Sequence, residues 1–138
     1  MLDKNKNYLI TVSGTANSGK STVLSLTIDK FIQNGAKVVS LLKDGSTDRV
    51  VILEYNNKLI GICTAGDAVS VLDWWLPRLL SKGCKHIVTA TKAYGDTCSY
   101  VNNFAEDNNF EIISLHKFHH KNENDISKID EFVFDLLK

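Results

Sequence analysis

Gly14-Thr15-Ala16-Asn17-Ser18-Gly19-Lys20-Ser21 is a full match to the pattern Gly-x-x-x-x-Gly-Lys-Ser/Thr, and Thr22 follows it. These residue types at this spacing suit the binding of a phosphate chain. A polyphosphate is a dense anion; small residues let successive backbone N–H groups approach it, and a helix start adds the positive end of a dipole. Lys20 brings a mobile ammonium for the terminal phosphates. Ser21 brings a hydroxyl suited to magnesium, a hard cation that prefers oxygen ligands. Thr22 is placed for the innermost phosphate. In a chain of 138 residues with ordinary Gly, Lys and Ser/Thr usage, an accidental match has a chance on the order of 0.5%.

Such a motif works where a strand turns into a helix, and its flanks predict that setting. Tyr8 to Ser13 is a β-branched run ending at Gly14; beyond it Val23, Leu24, Ile28, Phe31 and Ile32 recur at helical spacing until Gly35. Residues 37–42 read as a second, buried strand. Residues 50–55 and 58–64 read as two more strands, joined by Asn56-Asn57, a pair that tolerates the positive φ of a tight hairpin. Asp73 is the expected cap of a helix reaching Gly83, with Pro77 in its first turn, where a missing N–H breaks no helical bond. Residues 86–90 and 110–115 read as strands around a helix over 97–108. A last amphipathic helix carries Ile126, Ile129, Val133, Leu136 and Leu137. Strands alternating with helices imply an α/β protein, with a mostly parallel sheet covered on both faces and one antiparallel hairpin strand.

On the Gly14 to Ser21 motif and its strand-to-helix setting, the sequence resembles the P-loop NTPase superfamily over about its first 22 residues. The resemblance implies a three-layer α/β/α P-loop fold, one nucleotide-binding domain over residues 1–138, and a nucleoside triphosphate held by Gly14, Thr15, Ala16, Asn17, Ser18, Gly19, Lys20, Ser21 and Thr22. It also implies magnesium on Ser21 and an acidic residue, at the end of a nearby apolar strand, facing the ion. Ligands of open α/β sheets bind at the rim formed by the carboxyl ends of parallel strands. That rim offers Lys43-Asp44, Thr64 to Asp67, Thr91 to Thr97 and His116 to His120. Asp67 is the first candidate for the magnesium shell or for positioning water, and Asp44 the second; with Lys20 they form the candidate catalytic set. Glu54 also ends an apolar run, but it adjoins the Asn56-Asn57 turn and so belongs to the opposite edge.

Thr64-Ala65-Gly66 is similar to the Asp-x-x-Gly strand end of Ras-like GTPases, except that Cys63 stands where the aspartate would be. The Asn-Lys-x-Asp motif by which that group selects guanine is replaced by Thr91-Lys92-Ala93-Tyr94. With no carboxylate to pair with guanine's edge, ATP is the expected nucleotide. Arg49, on the catalytic rim, is the internal candidate for a charge clamp, and Arg78 reads as a surface residue of a helix. His116, His119 and His120 lack a metal-ligand spacing and read as part of a polar loop.

Composition narrows the partners. Sixteen basic residues cancel sixteen acidic ones, so no overall charge draws the chain to nucleic acid or lipid. The polar N-terminus and the lack of an apolar run near the roughly 20 residues of a membrane span disfavour export and insertion, leaving the cytoplasm as the expected compartment. Cys63, Cys84 and Cys98 are an odd set without CxxC spacing and read as reduced, mostly buried thiols. The leading expectation is an ATP-binding enzyme that hydrolyses or transfers the γ-phosphate with magnesium, as an ATPase or a small kinase-like protein. The competing one is a nucleotide-dependent interaction module with negligible turnover, meeting a protein partner or a second copy of itself. It is motivated by adjacent Trp74 and Trp75, of which one is expected at the surface, and by the Asp44 to Arg49 loop.

Overall fold

A computed structural model of the protein describes residues 5–14, 20–45, 48–116 and 123–138. The first half runs β1 (Asn7–Gly14), α1 (Lys20–Gln33), β2 (Lys37–Asp44), β3 (Arg49–Tyr55) and β4 (Lys58–Cys63). The second half runs α2 (Val69–Ser81), β5 (His86–Lys92), α3 (Asp96–Asp107), β6 (Phe110–His116) and α4 (Glu123–Leu137). The strands form one six-stranded sheet in the order β2-β3-β4-β5-β1-β6. β1 is parallel to both β5 and β6, and β4 is parallel to β5. β3 is antiparallel to β2 and to β4, so among the described strands it runs against all the others.

The β3–β4 hairpin turns on Asn56 and Asn57, with φ of 51° and 63°. Positive φ at both central positions matches the right-handed twist of the flanking strands, which is why this dipeptide makes the tight connection expected of it. Alternation along the strands then sorts the core. Tyr8, Ile10 and Val12 face α1 and α4, where Phe31 meets Tyr55 and Phe134 edge-on. Leu9 and Ile87 face Leu72, Leu76 and Leu79 of α2 and Val101 and Phe104 of α3. Helices therefore cover both faces, an α/β architecture compatible with three α/β/α layers. In α4, Val133 and Leu137 are buried and Ile129 and Leu136 partly so, while the side chain of Ile126 lies outside the described residues.

Two expectations are corrected. Helix α2 starts at Val69 rather than after Asp73, with Ala68 as an N-cap that makes no side-chain cap bond, so Pro77 falls in the helix interior. The stripe of Leu72, Leu76 and Leu79 explains the difference: all three are buried, and Leu72 reaches the core only if the turn before Asp73 is helical. Leu76 and Leu79 lie in the helix with either start, so the gain is the burial of Leu72, about 1.5–3 kcal/mol, which is comparable to the roughly 3 kcal/mol cost of an interior proline. The second correction is β2, an edge strand rather than a buried one, with Val38, Val39 and Leu41 half-exposed. The hairpin inserts β3 between β2 and the helix-covered strands, and β2 departs from regular pairing at two register shifts. Among the described residues, no helix is long and apolar enough to cross a membrane.

At the amino end of β5, His86 is buried and its Nδ1 accepts the backbone N–H of Tyr8 at 3.1 Å. Burial, and then the charges of Lys58 and Lys85, lower its pKa from 6.5 to about 4. Protonation would also remove the lone pair that Tyr8 uses. Between those two values the unfolded chain binds a proton that the native chain does not, so this contribution to stability is present above about pH 6.5 and is lost as pH falls toward 4. Urea denaturation on either side of pH 6.5 is expected to show the loss in the native sequence. The slope should flatten in His86→Asn, whose side-chain oxygen accepts without titrating there; an unchanged slope would clear His86 of the effect.

Candidate functional site

Parallel pairing brings the carboxyl ends of β1, β4 and β5 to one rim, where Lys20 opens α1. Its side chain is 5% exposed. The ammonium donates to the carbonyl of Gly14 at 2.9 Å, to the carbonyl of Thr91 at 3.0 Å and to Oδ1 of Asp67 at 2.5 Å. An ammonium has three N–H donors, and all three are used. Asp67, by contrast, is 58% exposed. The pair is therefore asymmetric, with a desolvated cation held by two fixed backbone dipoles and one hydrated carboxylate.

The loop that delivers Asp67 is anchored at each step. Thr64 donates its N–H to Arg49 O at 2.9 Å, and Arg49 returns its N–H to Thr64 Oγ1 at 2.7 Å. Cys63 points its thiol at Ala65 O at 3.1 Å. At Gly66 the chain lies so close to β5 that a Cβ would stand 1.7 Å from the carbonyl oxygen of Ala90. No side chain fits there, and the contact aims the next residue at Lys20. Ser21, one position along α1, donates its hydroxyl to Thr64 O at 3.3 Å, so both motif side chains reach toward the same loop.

Of the residues expected at the site, Gly14, Lys20, Ser21 and Asp67 come together, and Thr22 follows on the exposed surface of α1. Thr15, Ala16, Asn17, Ser18 and Gly19 lie outside the described residues. Asp44 is on the rim but is not brought to Lys20: β2 is four strand spacings from β1, roughly 19 Å at about 4.8 Å each. Arg49 begins β3 at the rim, yet its guanidinium pairs with Asp29 of α1 at 3.6 Å. Glu54 sits beside Lys37 at the opposite edge, as the hairpin requires. His119 and His120, and the side chain of His116, lie outside the described residues.

Cys63 occupies the strand-end position without supplying a charge, since burial pushes its thiol up to about 11. Cys84 is likewise buried and Cys98 half-buried, and all three are free. Three residues that the sequence places on the rim act in ways it does not show. Thr91 acts through its carbonyl, for which no side chain is a signal. Thr64 acts as a brace between strands. Gly66 is required by a contact with β5, and its one trace in the sequence is a glycine directly before the acidic residue.

Ser21 and Asp67 are both hard oxygen donors of the kind magnesium takes together with waters and phosphate oxygens. In this arrangement, however, the Ser21 hydroxyl is spent on Thr64 O and Asp67 on Lys20, and among the described residues no group of three or more His, Cys, Asp or Glu is placed to hold a metal ion. No protein-family model matches the chain, and no curated protein or solved structure matches it either. Gly66→Ala is expected to lower stability by about 1–3 kcal/mol through overpacking and to detach Asp67 from Lys20. Denaturant midpoints check the first effect; a variant as stable as the native chain would show that the loop has another resting place.

Proposed function

We propose that the protein binds a nucleoside triphosphate, with ATP preferred, on a P-loop formed by Gly14 to Thr22 and, with magnesium, hydrolyses or transfers the γ-phosphate. The observation that carries this reading is the ammonium of Lys20, desolvated at the carboxyl rim of a parallel sheet and directly behind a Gly-x-x-x-x-Gly-Lys-Ser sequence. A lysine held there by backbone carbonyls is pre-positioned, so little side-chain entropy remains to be lost when phosphate arrives. Two carbonyls keep the amine in place while the third donor exchanges Asp67 for a phosphate oxygen. The preference for ATP rests on Thr91-Lys92-Ala93-Tyr94, which offers guanine's edge no carboxylate.

Phosphoryl transfer depends mostly on positioning and charge neutralisation. Lys20 neutralises the terminal phosphates, Ser21 and Asp67 would hold magnesium, and Asp67, hydrated and freed from Lys20, can orient a water or an acceptor hydroxyl. Magnesium, when bound, draws charge from the phosphates and fixes their orientation. The same Lys20–Asp67 bond favours a second reading. If a triphosphate takes the lysine, the residue 64–67 loop loses an anchor, and a partner that senses this loop would see a nucleotide-dependent switch without turnover.

Lys20→Ala is expected to keep its near-ultraviolet circular dichroism while ATP affinity drops at least about 30-fold, the equivalent of losing one charged hydrogen bond of roughly 2 kcal/mol. Near-native affinity in the folded variant would contradict the phosphate role. Asp67→Asn keeps an acceptor for Lys20 but weakens the competitor for its charge. Metal-free ATP binding should therefore hold or improve, while magnesium-dependent phosphate release falls at least about tenfold, as for removal of one positioning or electrostatic group. Equal loss of both would assign Asp67 a structural role. No release by the native chain, together with tight ATP binding, would select the switch.

A further inference from the structure

Beside the Lys20 site, the rim opens into a cleft of about 390 Å³. It is lined by Ser70, Val71, Trp74 and Trp75 of α2, by Ala65 after β4, and by Lys43 of β2 and Asp48 before β3. The volume lies at the lower end of small-molecule pockets, which run to about 300–1,000 Å³.

The chemistry of this cleft is specific in three ways. Its lining includes two indoles in an edge-to-face pair, 6.5 Å apart and at 88° to one another. Trp74 is 55% exposed, yet it is held: the Arg78 guanidinium carbon lies 3.4 Å from the centre of its ring while Nη1 donates to the Trp74 carbonyl at 2.6 Å. The guanidinium covers one face of the indole and orders the ring, so the rotamer entropy that binding usually costs is already lost. The lining is also charged. Lys43 and Asp48 stand 3.9 Å apart and are both partly exposed, a weak pair whose members can each turn to a ligand.

We infer that the cleft is a binding site for a small heteroaromatic molecule carrying both an amino donor and an anionic group: its ring packs on Trp74 and Trp75, its amino group meets Asp48, and its anion meets Lys43. A sugar phosphate would satisfy the charged wall and leave the indoles bare, and a plain hydrocarbon would do the reverse. The site stands apart from the phosphate loop in its residues but shares a strut with it. Ala65 lines the cleft, and Asp67, two residues on, touches Lys20. A cleft ligand is thus placed as the second occupant of the rim, next to whatever Lys20 holds.

The chain has two tryptophans, and both line the cleft, so all tryptophan emission reports on it. Cytidine 5′-monophosphate and adenosine 5′-monophosphate serve as probes, with ribose 5-phosphate as the ringless control. Titrations run in the native chain and in Lys20→Ala, which removes the phosphate-loop cation. Saturable quenching by a nucleotide probe, absent with ribose 5-phosphate and retained in Lys20→Ala, is the expected result. Lys43→Ala should weaken it about tenfold, as for one charged hydrogen bond, and Trp74→Leu, read through Trp75, should do the same or more. Quenching lost in Lys20→Ala, matched by ribose 5-phosphate, or unaltered by both cleft variants would overturn the assignment, as would no quenching by either nucleotide. ATP binding, followed separately by calorimetry in the native chain, decides the P-loop reading. Its failure leaves the cleft standing, and competition between ATP and the probes for the tryptophan signal would show that the cleft is only the nucleotide's own base pocket.

Discussion

A primary ammonium taken out of water must find oxygen for each of its three N–H bonds, and the rim of this sheet is arranged around that demand. Lys20 meets it with Gly14 O, Thr91 O and Asp67. Two of these acceptors are strand-end carbonyls, available in one place because β1 and β5 are parallel neighbours whose paired register runs out at Gly14 and Lys92. The third comes from β4, one strand further out, and reaches Lys20 only because Gly66 lets the loop lie against β5. Breaking such a set by removing one partner of a buried charge costs far more than a surface ion pair contributes. Here the exposed carboxylate is the partner that can leave at least cost, because water can replace Lys20 around it. On the proposed reading, that asymmetry is what lets another anion take the place of Asp67 on Lys20.

The sheet order also divides the rim into two chemistries. On the β1 side stand the ammonium of Lys20 and the hydroxyl of Ser21; toward the β2 edge stand the indoles of α2 and the Lys43–Asp48 pair. The residue 64–67 loop lies between them. Its anchors, Arg49 to Thr64 and Gly66 to Ala90, are short and local. Arg49, tied to Asp29 and to Thr64, is part of this frame.

Much of the fold was legible because it follows from local chemistry. The Asn56-Asn57 hairpin, the stop at Gly35 with φ of 98° and the strand-to-helix setting of the motif each depend on residues next to one another. What was not legible depends on order across the sheet. The apolar pairs Val38-Val39 and Leu41-Leu42 resemble a core strand, and no local feature says that a hairpin will separate them from the covered strands. For the same reason the sequence ranks Asp67 above Asp44 yet keeps both on the rim, and strand order is what sets Asp44 apart from Lys20. Asp73 looked like a cap because an exposed aspartate before an apolar run usually is one; it instead accepts the Tyr100 hydroxyl at 2.9 Å, from within the helix. Thr91 and Gly66 were placed on the rim, but their roles were not legible, since one contributes only its backbone and the other only the space its missing side chain leaves.

The most direct test is a crystal structure of the chain grown with magnesium and a non-hydrolysable ATP analogue. The account predicts that Lys20 Nζ keeps the Gly14 and Thr91 carbonyls and exchanges Asp67 for a phosphate oxygen, with Asp67 turned toward the metal's water shell. A saturated crystal in which Lys20 still holds Asp67 and the analogue lies elsewhere, or nowhere, would contradict it.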